Sequence, residues 1–253
     1  AQGLDQFLKA VKIELKLQYA EQDSNQSYLG LTDADFNRDA YRRYGLSALD
    51  NIYTEHEQVI LRYEYQASDS LKLIATAYNN NHARNWYKTE GIDLDGSSTA
   101  DSLSRTSWSS IINDINAGNS RAGFSAGQLQ SILDGTLDTV PGSIDVRANN
   151  REYFSQGVQL GLNWKGKLGN SQHALEAAVR LHRDEEDRMQ YDSAFQQLDG
   201  TLVLNDIGLM GVAGNRVQEA KALSVHIYDQ IEIGNWLMTP GLRYEDIEQS
   251  RTR

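Results

Sequence analysis

Within the stretch Leu8 to Ala20, apolar side chains fall at every second position: Val11, Ile13, Leu15, Leu17 and Tyr19 alternate with Lys12, Glu14, Lys16 and Gln18. A period of two belongs to a strand with two unlike faces, so this segment must sit between an apolar phase and a wet one. The pattern returns six times. Val59, Leu61, Tyr63 and Tyr65 oppose Gln58, Arg62 and Glu64, with Ile60 breaking the polar side. Leu71, Leu73, Ala75 and Ala77 oppose Lys72, Thr76 and Tyr78. Val158, Leu160, Leu162 and Trp164 oppose Gln159, Gly161 and Asn163, and Leu175, Ala177, Val179 and Leu181 oppose Glu176, Arg180 and His182. A sixth set, Leu223, Val225, Ile227 and Ile231, is interrupted by Asp229, and a seventh runs from Trp236 to Glu245. Runs of roughly 10 to 15 residues are long for a soluble sheet and suit tilted strands that cross a bilayer.

The connections alternate in length. Residues 66–70, 166–171 and 233–235 read as short turns rich in Gly, Ser, Asp and Asn, whereas 21–51, 88–150 and 184–216 are long and polar. Transmembrane barrels have short turns on the periplasmic side and long loops outside, which directs the first strand outward. The expected fold is therefore all-β: an antiparallel transmembrane β-barrel wall with long outer loops that carry short helices.

Composition narrows the function classes. No run of about 18 apolar residues is present, so the sequence offers no transmembrane helix. The 40% hydrophobic content is compatible with a barrel wall, in which only alternate residues meet lipid. There is no cysteine, hence no disulfide framework and no Cys-based metal site. A formal charge of −11 without a Lys/Arg cluster disfavours nucleic acid as a partner. An odd number of strands, seven, does not close a barrel, and open edges in lipid leave backbone groups unpaired at several kcal/mol each, roughly. The expectation is one segment of a larger wall, residues 1–253, without a secretory leader ahead of it.

Four stretches carry a family resemblance. Tyr28-Leu29-Gly30-Leu31-Thr32-Asp33-Ala34-Asp35-Phe36 with Tyr41-Arg42-Arg43-Tyr44, then Ala83-Arg84-Asn85-Trp86-Tyr87-Lys88, then Arg147-Ala148-Asn149-Asn150-Arg151-Glu152-Tyr153, and Leu237-Met238-Thr239-Pro240-Gly241-Leu242-Arg243-Tyr244-Glu245 together resemble TonB-dependent outer-membrane receptors, in the branch with ferric dicitrate and siderophore receptors. The resemblance implies about seven strands of a barrel of about 22, its lumen closed by a plug. It also implies a ferric siderophore or ferric citrate as transported ligand, no resident cofactor, and energy from the TonB complex, reached through a plug and further strands that lie outside these residues. The implied location is the bacterial outer membrane.

Polar-face arginines are the candidates for gripping an anionic chelate, because a planar guanidinium donates two parallel hydrogen bonds to a carboxylate. Tyr78, Asn80, His82 and Arg84 share the parity of Lys72 and approach the outer mouth. Arg42 and Arg43 lie in the loop above, and Arg62 and Arg180 on the polar face. The expected ligand-binding set is thus Arg42, Arg43, Arg62, His82, Arg84 and Arg180. Against it stands simple pairing of each arginine with a neighbouring carboxylate.

The 88–150 loop has its own signals. Trp108, Ile111, Ile112 and Ile115 have helical spacing, and Ser125 reads as the cap of a helix carrying Leu129, Ile132 and Leu133 that stops at Gly135. Such a loop either folds over a ligand or forms a surface cap packed on neighbouring loops. Gly123-Phe124-Ser125-Ala126-Gly127 matches a hydrolase nucleophile elbow, but the polar stretch 113–122 before it cannot be the buried strand that an elbow follows. The expected protein is not an enzyme. The histidines at 56, 82, 173, 182 and 226 have no metal-ligand spacing, and Asp93, Asp95 and Gly96 give only part of a calcium loop. Asn25-Gln26-Ser27 is a formal glycosylation sequon without consequence for a bacterial protein. Alternatives to an energy-coupled importer are a passive porin or adhesin barrel, and a secreted β-sandwich.

Overall fold

The computed structural model describes residues 10–95 and 105–253. Leu8 and Gly96, used in the readings above, lie outside them. Among the described residues the chain forms one antiparallel sheet whose seven long strands follow one another in chain order. They are β1 (Val11–Ser24), β2 (Asn51–Ser68), β3 (Leu71–Ile92), β5 (Ile144–Leu168), β6 (Ser171–Leu198), β8 (Gly214–Ile233) and β10 (Gly241–Thr252). Three short strands, β4 (Thr106–Ser107), β7 (Thr201–Ile207) and β9 (Trp236–Met238), pair with β3, β6 and β8. β1 and β10 form the two edges, so the sheet is an open arc of barrel wall.

Register turns the alternation of each strand into continuous rows. Ile13, Tyr63, Ala75, Leu160, Val179, Val225 and Tyr244 are successive cross-strand partners. One residue further along, Glu14, Arg62, Thr76, Gln159, Arg180, Ser224 and Glu245 line up likewise on the other face. The apolar row is open, with Leu15, Leu160 and Leu181 each more than half exposed, which fits a surface completed by hydrocarbon. We call that face outward and the polar one inward.

Turn chemistry locks this register. Gly169 and Gly234 hold φ of 60° and 59° at the first central position of two-residue turns, as a type II′ hairpin requires. Asp199 and Gly200, at 49° and 73°, form the type I′ turn between β6 and β7.

The strands run further than the apolar pattern indicates. β3 continues to Ile92, β5 begins at Ile144 and β6 reaches Leu198, so the expected loop 88–150 shrinks to 93–143. The expected loop 184–216 becomes the connection 199–213, which contains β7, and 21–51 becomes 25–50. The reason is physical. Between the apolar belt and the outer connections both faces are wet, so alternation is lost while the backbone ladder continues.

The outer connections pack into a cap with its own core. Thr32 caps α1 (Asp33–Arg38), Ser107 caps α2 (Trp108–Ala117), and Ser125 makes a capping box with Gln128 at the start of α3 (Ala126–Leu133). Trp108, Ile111 and Ile112 from α2 and Leu129, Ile132 and Leu133 from α3 bury against Tyr44 and Leu46, and against Ile92, Ile144, Val146 and Phe195 of the strand tops. Ile144 and Val146 share the parity of Leu160, so the cap leans on the outward side of the extended strands. The described part of the long loop, 105–143, is thus a packed cap. A β-bulge between Thr89 and Gly91 re-aims β3 so that Ile92 enters this core.

Candidate functional site

Counting along β3, Arg84 lies seven residues above Ala77, roughly 23 Å beyond the apolar belt at about 3.3 Å per residue. It is on the inward face. Its cross-strand partner is Arg151 on β5, whose partner on β6 is Arg188, whose partner on β8 is Arg216. Four guanidinium groups thus stand side by side on neighbouring strands, about 4.8 Å from one strand to the next. Like charges placed directly opposite destabilise a sheet.

Local compensation is thin. Among the described residues Arg151 and Arg216 both pair with one carboxylate, Glu186, at 3.1 Å and 3.5 Å. Arg188 donates from Nε to Gln190 Oε1 at 2.7 Å, and Arg151 from Nε to Asn149 Oδ1 at 3.0 Å. The Nε atoms of Arg84 and Arg216 are buried without a hydrogen-bond partner. Burial first, then Arg151 and Arg216, depress the Arg188 guanidinium from its ordinary value, with Glu186 opposing them. Such an arrangement concentrates positive charge on the inward face.

Below the row the wall is hollowed. A cavity of about 450 Å³ is lined on the inward side by His82, Tyr153, Ser155, Asp184, Glu186 and Gln218. His82 lies between His56, edge-on at 5.9 Å between ring centroids, and Tyr153 at 5.6 Å. Arg84 and His82 are therefore the members of the expected set that reach this place.

The other four are held elsewhere. Arg42 bridges Asp35, at 2.8 Å, and Asp134 of the α3 end, and lies over the Tyr44 ring. Arg43 donates to the backbone carbonyls of Asn25 at 3.1 Å and Ser47 at 2.7 Å, tying loop 25–50 to itself. Arg62 pairs with Glu64 at 2.8 Å, which also takes Lys72. Arg180 gives two hydrogen bonds to the Tyr78 hydroxyl, at 2.9 and 2.6 Å. Tyr78 also meets His182 Nδ1 at 2.6 Å, and His182 Nε2 lies 3.0 Å from Asp184. Burial alone pushes the Asp35 carboxyl up, but hydrogen bonds from Tyr44, Arg38, Gln130 and Thr32 together hold it below its ordinary value. Arg147, at the top of β5, grips Asp192 with two hydrogen bonds, at 2.7 and 2.8 Å, which raise it.

Arg188 and Arg216 escape sequence reasoning because their segment, 184–216, reads as loop, and Arg151 because it lies between the 88–150 loop and the alternation that begins at Val158. The signal was available: counting back from the two-residue turn Gly169–Asn170 places Arg151 opposite Arg188. Ser125 is occupied in capping α3, accepting from Gln128 N–H at 3.3 Å.

Neither a family model nor a curated relative matches the sequence. Solved structures do. The fold superposes over 96% of the chain on 28% of the ferric citrate transporter FecA in its unliganded form, with a TM-score of 0.62 and 17% identity. It covers 34% of the siderophore receptor PiuA from Acinetobacter baumannii (TM-score 0.60, 14% identity). It covers 32% of the ferric-catecholate import receptor Fiu from E. coli K12 in its closed form (TM-score 0.57, 13% identity). The chain spans about a third of the length of these proteins, and at these identities what is shared is the fold, a partial receptor-type barrel wall.

Proposed function

We propose that this chain is part of the wall of a bacterial outer-membrane receptor that imports an anionic ferric chelate, ferric citrate or another siderophore. The barrel would be completed by strands and a plug outside these residues, with TonB acting through the plug. The observation that carries the reading is the row Arg84, Arg151, Arg188 and Arg216, four cations that approach one another at the outer mouth with one carboxylate among them. A chelate bearing several carboxylates supplies the missing negative charge and uses the paired donors of each guanidinium. His82 and Tyr153 below offer hydrogen bonds to its hydroxyl groups. In this reading Arg42 and Arg43 hold the cap, while Arg62 and Arg180 hold the inner wall. Likeness of fold to FecA, PiuA and Fiu supports the class of protein.

The test is titration of the whole receptor with ferric citrate and with an uncharged ferric hydroxamate. Replacing Arg151 and Arg188 together with Ala is expected to weaken ferric citrate binding about 10²- to 10⁴-fold, since hydrogen bonds to charged groups are worth about 1.5–3 kcal/mol each. An affinity left unchanged by that pair of substitutions removes the row from the site.

A further inference from the structure

At the opposite end of the wall a charge sits where the fold asks for grease. Asp229 occupies the outward row of β8 between Ile227 and Ile231, opposite Leu175. Its Oδ2 lies 2.6 Å from His173 Nδ1, and His173 Nε2 lies 2.7 Å from Ser171 Oγ. Its other oxygen, Oδ1, is buried without a hydrogen-bond partner. Ser171, His173 and Asp229 share one face, at the end of the sheet that carries the short turns. Carboxylate, imidazole and hydroxyl follow one another in the order that activates a serine.

We propose that Ser171, His173 and Asp229 form an esterase site that acts on glycerophospholipid in the leaflet nearest the short turns. Nδ1–H donated to Asp229 leaves Nε2 as the acceptor facing the hydroxyl, which is the productive tautomer. The hydroxyl proton has a second acceptor, the Leu168 carbonyl at 2.7 Å, from which it turns to His173 when a substrate approaches. The surroundings fit a lipid ester. The Trp164 ring is 6.4 Å from His173, its indole laid over Gly166, and Leu168, Ile233, Trp236 and Met238 stand exposed nearby. Aromatic side chains mark the boundary between acyl chains and headgroups, which is the depth of the ester carbonyls. Nothing lies within 4 Å of where a side chain on Gly169 would start, so approach over the turn is open. The N–H groups of Gly169 and Asn170 lie beyond the last ladder pair, and in this proposal they are assigned to the developing oxyanion.

The chemistry balances within the site. Ser171 Oγ bonds to the ester carbonyl carbon as its proton passes to His173 Nε2. The carbon–oxygen bond to the glycerol then breaks, and the leaving alkoxide takes that proton as lysophospholipid. Water, deprotonated by His173, releases the fatty acid from the serine and restores the hydroxyl. Asp229 is a positioning residue that fixes the imidazole.

The experiment uses the whole receptor, folded as judged by heat-modifiable mobility, with a fluorophosphonate probe and with vesicles of phosphatidylethanolamine and phosphatidylglycerol. Expected are a phosphonyl adduct on Ser171 and release of fatty acid, which Ser171→Ala abolishes and His173→Gln lowers about 10³-fold or more. Asp229→Asn is expected to lower kcat with KM unchanged, a split that a merely structural role does not produce. Folded receptor without adduct, or fatty-acid release that survives Ser171→Ala, overturns the proposal. An adduct without lipid hydrolysis overturns the lipid as substrate. Ferric citrate binding is expected to be the same in Ser171→Ala, so this result and the import reading stand or fall separately.

Discussion

Tyr78 reaches His182 two strands away because residue 157 between them has no side chain: a Cβ there would lie 2.5 Å from the Tyr78 hydroxyl and 2.5 Å from the Leu181 carbonyl. One glycine thus lets a tyrosine, an arginine and a histidine close over the inner wall. Asp35 plays a comparable part in the cap, where it gathers Arg38, Arg42, Tyr44 and Gln130 around a buried carboxylate. Its carboxyl titrates below its ordinary value, so its contribution to stability is complete above the unfolded-state value of about 3.9 and is lost as pH falls through the folded one. Acid below about pH 4 should therefore loosen the cap before the wall. Near-ultraviolet circular dichroism of the Trp108 environment, followed through that range, checks it, and Asp35→Asn should abolish the transition.

At the scale of elements, the cap is a small domain built on strand ends. Its helices are short, and α3 has eight residues, too few to persist without packing. Leu129 is fully buried in its core. Leu129→Ala is expected to cost the cap about 2–5 kcal/mol and to raise amide exchange in α2 and α3, with β5 and β6 left protected. Both helices were legible in sequence, from the spacing of Trp108, Ile111, Ile112 and Ile115 and from Ser125 ahead of Leu129, Ile132 and Leu133. The tops of the strands were not, because a ladder in water needs no apolar alternation. The proposed row spans those tops, and of its four arginines only Arg84, which continues the parity of Lys72, was named from sequence.

For the whole molecule, the decisive quantity is which medium each face meets. Leu15 lies in an outward row with Leu61, Ala77, Val158, Leu181 and Leu223, whereas Lys16 lies inward beside Ile60 and Tyr78. In the whole receptor Leu15→Arg is expected to impair assembly, since Arg at the midplane of a barrel costs about 2–4 kcal/mol, while Lys16→Glu is tolerated. Outer-membrane fractionation of the two variants decides this, and equal yields would reverse the facing. The sequence by itself determined the strand class, the two faces, the short turns and two of the cap helices, α2 and α3, because alternation, turn glycines and capping residues act within a few positions of the chain. Only tertiary structure decided which charges meet. Arg84, Arg151, Arg188 and Arg216, or Ser171, His173 and Asp229, come together through register between strands, and register is fixed by pairing across whole hairpins, which apolar alternation within one strand does not record.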